Sequence, residues 1–113
     1  MLFHYGRAKP ETAEQLMRSR YTAYFFRLVD YLVATTHPDE RHEKLTRDLG
    51  RNIWDFNWRK LEIVNQSKGS KDDKRGKVEF IATYSVAGET HQLHEHSRFR
   101  RFKGKWMYVD GKG

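Results

Sequence analysis

The spacing of the apolar residues changes once along this chain, from a period of about 3.6 residues to a period of two, and that change constrains the fold more than any motif does. In the first half, Ala13, Leu16, Met17, Tyr21, Tyr24, Phe25 and Leu28 recur every three or four positions, which places them on one helical face. A helix is expected over 12–26. Thr12 suits its cap, Gln15 follows three residues later, and Glu14 puts an acid in the first turn. A second, shorter helix is expected over 28–35 with Leu28, Tyr31 and Leu32 inward. No Gly or Pro separates the two, so a bend and a continuous helix are both open. Pro38 fits a first helical position, with Asp39 and Glu40 in the first turn. Leu45, Leu49 and Ile53 share a face of this third helix, which Gly50 weakens or stops.

From Trp58 onward the period is two. Leu61 and Ile63 alternate with Lys60, Glu62 and Val64, the pattern of a strand. Residues 65–77 are polar and rich in Gly, Ser, Lys and Asp, and are read as a mobile hairpin loop. Val78, Phe80, Ala82 and Tyr84 line one face of the next strand. Ala87-Gly88-Glu89 is a turn, His91 to Phe102 a long strand, Gly104 a second turn, and Lys105 to Val109 the closing strand. Helices followed by hairpin-connected strands predict an α+β fold, with N-terminal helices packed on one face of an antiparallel sheet. Neither repeat nor boundary divides the chain, so 1–113 reads as one domain with 1–10 as an N-terminal arm.

Composition narrows the class. Only 37% of the 113 residues are hydrophobic, but three Trp, six Tyr and seven Phe make 14% of the chain aromatic. A core few in residues and heavy in rings follows, and a disordered chain is excluded. The absence of cysteine removes disulfides, thiolate zinc sites and cysteine nucleophiles. The start, Met1-Leu-Phe-His-Tyr-Gly-Arg, is too short and polar for a signal peptide. Arg27 interrupts the longest apolar stretch, so no membrane association is expected and the cytoplasm is the default location. Twenty-two Lys and Arg against 15 acids give +7, which favours anionic partners. The positives gather in 68–77 and in Arg98, Arg100, Arg101, Lys103 and Lys105. A solvated basic face is preferred to nucleic-acid binding for them.

Parity along the long strand singles out one charge, and the helical stripe a second. Leu93, Ser97 and Phe99 share a face with Glu95, while Gln92, His94, His96, Arg98 and Arg100 occupy the other. Glu95 is therefore a carboxylate on an apolar strand face, and Arg20 is a guanidinium on the apolar stripe of the first helix. Burying either alone costs several kcal/mol. A direct Arg20–Glu95 contact is accordingly expected, with Tyr24 or Tyr108 in a wider network. It is read as a structural tie ahead of a binding site. His94-Glu-His96 puts two imidazoles on one strand face but shows no third ligand, so no metal and no cofactor are assigned. His37, before Pro38, either caps a helix or faces inward.

Pro10-Glu-Thr-Ala-Glu-Gln-Leu-Met-Arg-Ser-Arg-Tyr-Thr-Ala-Tyr24 resembles the opening of the middle domain of the YchJ family. Asp30-Tyr-Leu, Thr35-Thr-His-Pro38, Glu95-His-Ser-Arg-Phe99 and Trp106-Met-Tyr-Val-Asp-Gly111 look like later blocks of that pattern, in the same order. The resemblance implies a cystatin- or nuclear-transport-factor-2-like cone, a curved sheet wrapped on helices. Members of the family often carry cysteine-rich SEC-C segments that bind zinc; with no cysteine here, that role is not carried over. Similar cones place acid–base carboxylates inside, which makes Glu95 and Asp110 the catalytic candidates. For Asp110 a turn with Gly111 is the preferred reading.

The expected function is a non-enzymatic module. Its cone pocket, lined by Arg20, Tyr24, His37, Glu95, Tyr108 and Asp110, would take a small polar or anionic ligand, and its outer sheet face a protein partner. A homodimer through that face is open to it, although its charge argues against a dry contact. The alternative is an isomerase- or hydrolase-type enzyme with Glu95 or Asp110 as base. Pairing with Arg20 would lower the pKa of Glu95 and weaken that alternative. Nucleic-acid association through the basic C-terminal strands ranks third.

Overall fold

The computed structural model describes residues 3–5 and 8–112. After a 3₁₀ turn at Phe3–Tyr5 come helices α1 (Ala13–Phe26) and α2 (Val29–Ala34), a 3₁₀ turn at Pro38–Glu40, and helix α3 (Leu45–Asn52). Strands β1 (Asn57–Lys68), β2 (Arg75–Val86), β3 (Glu89–Phe102) and β4 (Lys105–Lys112) follow. They pair in sequence order as one antiparallel meander. The α+β architecture and the helix-then-sheet order stand as expected. No helix among the described residues is long and apolar enough to cross a membrane.

The caps explain the helix boundaries. Thr12 Oγ1 accepts from the Gln15 N–H at 3.1 Å, and the Gln15 side chain accepts from the Glu11 N–H at 2.8 Å. This is a capping box shifted by one residue on its return arm. At the other end Arg27 takes a left-handed conformation, φ 60°, and its N–H returns to Ala23 and Tyr24. A bend thus separates α1 from α2. Pro38 starts only a 3₁₀ turn, and α3 is a separate helix with Gly50 inside it.

Leu16 and Ala13 of α1 are buried against Val78, Phe80, Ala82, Phe99 and Trp106 of the sheet. Ala23, Leu32 and Ile53 join the three helices to one another. Phe25, expected inward, is 46% exposed; it lies at the end of α1, beyond Ala23, the last buried residue of that helix.

Two boundaries of the sheet differ from expectation. The 65–77 loop shrinks to 69–74, since Gln66, Ser67 and Lys68 pair with Val78, Lys77 and Gly76. Polar side chains do not stop a strand whose backbone ladder is satisfied. The hairpin tip is also tied down. Ala13 N–H donates to Gly69 O at 2.9 Å, and Arg101 Nε donates to Asp73 O at 2.7 Å. The closing strand, for its part, runs through Asp110 and Gly111 to Lys112 instead of turning there.

That last extension contains a β-bulge. Phe99 pairs with Tyr108, yet Arg98 pairs with Asp110, so Val109 is an extra residue. A strand alternates faces at every residue, and one insertion reverses everything beyond it. Tyr108 faces the helices; Asp110 faces away.

Candidate functional site

Between α1, α3 and the concave side of the sheet lies a cavity of about 430 Å³. Its walls are largely rings and aliphatic chains, among them Met17, Leu49, Phe56, Trp58, Phe80, Tyr84 and Leu93. Arg20, Glu95, Ser97 and Tyr108 supply polar groups on the α1, β3 and β4 side, and Asp48 and Asn52 on the α3 side. Trp58 packs on Tyr84 and Phe56 with ring centroids 5.2 and 6.0 Å apart, a lining that resists collapse.

Arg20 is 4% exposed. Its Nη1 donates to Leu32 O at 2.9 Å, to Thr35 Oγ1 at 2.7 Å and to Thr36 Oγ1 at 3.4 Å. The guanidinium lies over the Tyr108 ring, 4.3 Å from its centroid. These acceptors are held in place because residues 35–37 bind the edge of β4. Tyr108 N–H donates to Thr35 O at 2.7 Å, and His37 N–H donates to Tyr108 O at 2.8 Å. Among the described residues these hydrogen bonds all run from Nη1, and the Tyr24 hydroxyl also interacts with the guanidinium. Burial lowers the pKa of Arg20, and the neighbouring tyrosines act in the opposite direction.

The expected Arg20–Glu95 hydrogen bond is not formed. Neutral acceptors one helix away capture Nη1, and no ion pair joins the two charges among the described residues. They share the cavity all the same. Arg20 lowers the Glu95 pKa, but burial raises it by more, and Asp110 adds to the rise. The direction is opposite to the one expected from direct pairing. Tyr108 is pushed up to about 12, first by burial and then by the Glu95 charge.

Glu95 also depends on a glycine. A Cβ built on Gly111 would stand 2.0 Å from Glu95 Oε1, so β4 supplies bare backbone where the carboxylate lies. The bulge is what brings Gly111, opposite Ser97, to this face. The Ser97 hydroxyl is buried and has no hydrogen-bond partner among the described residues.

Two proposed pocket residues lie elsewhere. Asp110 is on the outer face and takes a two-pronged ion pair from Arg98, with Nε to Oδ1 at 2.6 Å and Nη2 to Oδ2. That pairing lowers its pKa, and the bulge at Val109 accounts for its position. His37 is 5% exposed but outside the cavity. Its Nδ1 accepts from the Asp39 N–H at 3.1 Å, and its ring packs edge-on against Phe102. Of the basic residues on the outer face, Arg98 is engaged by Asp110, and Arg100 reaches Asp39 at 3.3 Å.

The sequence alone does not single out Asp48, Asn52, Ser97 or Gly111 as site residues. Ser97 was legible from its parity with Glu95. Gly111 becomes meaningful only with the bulge, and α3 could be set over the mouth only by tertiary packing.

The raised carboxyl has a consequence for stability. A carboxyl with a higher pKa in the folded chain binds protons more tightly there, so stability falls as pH rises through the window above the ordinary Glu value of about 4.3. Glu95→Gln should therefore melt higher than the parent near neutral pH. The difference should vanish at pH values below that window. Calorimetry across pH in the presence of a chelator checks this, and an equal or lower Tm at neutral pH contradicts it.

The comparisons with known proteins agree with this architecture. The family model described as YchJ, middle NTF2-like domain, matches residues 12–111. A UPF0225 protein of Chromobacterium violaceum is 46% identical over 100 residues, covering 88% of this chain and 73% of its own. The solution structure of a SEC-C motif containing protein from Rhodopseudomonas palustris superposes with a TM-score of 0.85 at 28% identity, over 99% of this chain and 86% of that one. An LEH-like epoxide hydrolase of M. tuberculosis shares the fold alone, with a TM-score of 0.60 at 15% identity, over 88% of this chain and 84% of its own. With the helix order, the meander and the Arg20–Glu95 cavity in place, the chain belongs to the YchJ family, as its NTF2-like middle domain.

Proposed function

We propose that this domain binds a small, mostly apolar molecule carrying one polar group, with that group seated among Arg20, Glu95, Ser97 and Tyr108. The observation that carries the reading is the composition of the cavity wall: rings over most of it, and a guanidinium, a carboxyl and a hydroxyl that has no partner among the described residues together on one side. A volume of about 430 Å³ falls in the usual range for small-molecule sites, roughly 300–1,000 Å³. Groups already fixed by the fold lose little freedom when a ligand arrives.

Thermal unfolding in the presence of benzoate, benzamide and benzyl alcohol tests it. A ligand of the native state raises Tm, by a free energy of about 2.7 kcal/mol at a hundred times its Kd. At least one probe should give a saturable rise. Leu93→Trp, which fills the cavity, should abolish the rise, and Glu95→Gln should weaken benzamide or benzyl alcohol, the probes that donate to a carboxyl, about tenfold, the worth of one charge-assisted hydrogen bond. No rise with any probe, or a rise untouched by Leu93→Trp, overturns the reading.

Acid–base chemistry is a second reading, favoured by the placement of the Glu95 carboxyl and the Tyr108 ring on the same cavity wall. Under it, Glu95→Gln leaves affinity within a few-fold and removes turnover of the bound molecule. Under the binding reading, affinity itself falls.

A further inference from the structure

The other side of β2 and β3 carries a cluster that neither the cavity nor the family relationship accounts for. His94 and His96 project from the outer face of β3, two residues apart, and their rings lie 5.5 Å apart between centroids. The strand alone offers no third ligand. The sheet supplies one: Glu79 of β2 stands directly opposite His96. Its Oε2 lies 2.5 Å from His94 Nε2 and 3.7 Å from His96 Nε2. One ligand atom from each of the three residues falls within 4.8 Å of the others.

We propose that Glu79, His94 and His96 form a binding site for a zinc-class divalent cation, with three protein ligands and a fourth position open to water. Zinc accepts imidazole nitrogen and carboxylate oxygen at about 2.0–2.2 Å in tetrahedral geometry, which sets neighbouring ligand atoms a little over 3 Å apart. The Glu79–His96 separation is already close to that value. The Glu79–His94 contact need only open by less than an ångström, within side-chain motion on fixed backbones. Those backbones are fixed, because the β2–β3 ladder runs without a register break from Arg75–Arg100 to Val86–Glu89. The site therefore demands no ordering of loops, a cost that exposed clusters on irregular segments must meet. Three protein ligands with one vacant position is also the arrangement of zinc sites that bind exchangeable ligands. Facing outward, such an ion would be separated from the cavity by the sheet itself.

The alternative explanation is that Glu79 accepts hydrogen bonds from the two imidazoles and nothing more. Titration of the tag-free chain with zinc chloride by calorimetry at neutral pH separates the two, with cobalt(II) substitution as a second readout. One equivalent should bind with a Kd in the micromolar range or tighter, and cobalt should give the intense visible absorption of a four-coordinate ion. His94→Ala, His96→Ala and Glu79→Gln should each weaken zinc binding by at least about tenfold. All three side chains lie on the solvent-facing side of paired strands, so the variants should fold, which circular dichroism verifies. His42→Ala and His91→Ala, exposed histidines elsewhere, should leave affinity unchanged. Absence of saturable binding up to millimolar zinc, or binding that survives the three substitutions, overturns the proposal.

Discussion

Arg20→Ala is expected to cost the domain about 3 kcal/mol, the range seen when a buried, hydrogen-bonded charge is removed from its network. In a domain of this size that corresponds to a fall in Tm on the order of 10 °C or more. Two losses combine. The long side chain fills space between α1, α2 and β4, so its removal leaves a void. The charge that moderates the half-buried Glu95 carboxyl disappears as well. Arg20→Met separates them, since it retains most of the volume without the charge and should be the milder substitution. The acceptors left behind do not suffer greatly: Thr36 Oγ1 donates to Leu32 O at 2.8 Å, and Thr35 Oγ1 donates to Tyr31 O at 2.8 Å. Arg20→Lys should rank with the damaging changes, because an ammonium cannot stack on Tyr108 while reaching the same carbonyl. Chemical denaturation of the three variants measures the order. A loss below about 1 kcal/mol for the alanine variant would show that the guanidinium is not a structural tie.

Gly69→Ala should be comparably damaging, through the contact between the first hairpin and the start of α1. Gly69 has φ +82°, and a Cβ there would sit 2.7 Å from the Ala13 Cβ and 3.3 Å from the Gly76 Cα. The left-handed conformation costs a non-glycine residue about 1–2 kcal/mol. Overpacking against two neighbours adds roughly 1–3 kcal/mol. A total near 3 kcal/mol is expected, with loss of the Ala13–Gly69 hydrogen bond as the local sign, read by amide hydrogen exchange. Gly88→Ala provides the comparison. Its φ is +85°, but nothing lies within 4 Å of the added carbon, so it reports the backbone cost alone. Equal losses at the two positions would show that the close approach to Ala13 contributes nothing.

Much of this architecture is legible before any coordinate is known, because local signals and tertiary packing agree. Thr12 caps α1, the apolar spacing changes period once, and Ala87-Gly88 and Lys103-Gly104 turn the strands with positive φ at both residues of each pair. Arg20 stands out by helical spacing and Glu95 by strand parity, and both do line the cavity. The distance between them was not legible. Parity assigns a face but says nothing of competing acceptors, and Thr35 and Thr36 reach Nη1 because their segment binds the edge of β4. Asp110 was misplaced for a different reason. Resemblance to similar cones implies the inner face and Asp-Gly a turn, but the inserted Val109 that turns Asp110 outward leaves no mark in composition. Glu79 becomes a neighbour of the two histidines only through the register that the Ala87–Gly88 turn sets between β2 and β3, and alternation along β3 alone does not reach across the hairpin.

The bulge at Val109 means that the cavity's chemical character is controlled by pairing register as well as by side-chain identity. Were Val109 to pair with Arg98 in a regular ladder, Asp110 would fall opposite Ser97 on the inner face and Gly111 on the outer one, adding a carboxyl to the wall beside Glu95. One unpaired residue thus decides whether the same acid closes an ion pair with Arg98 on the outside or joins the chamber within.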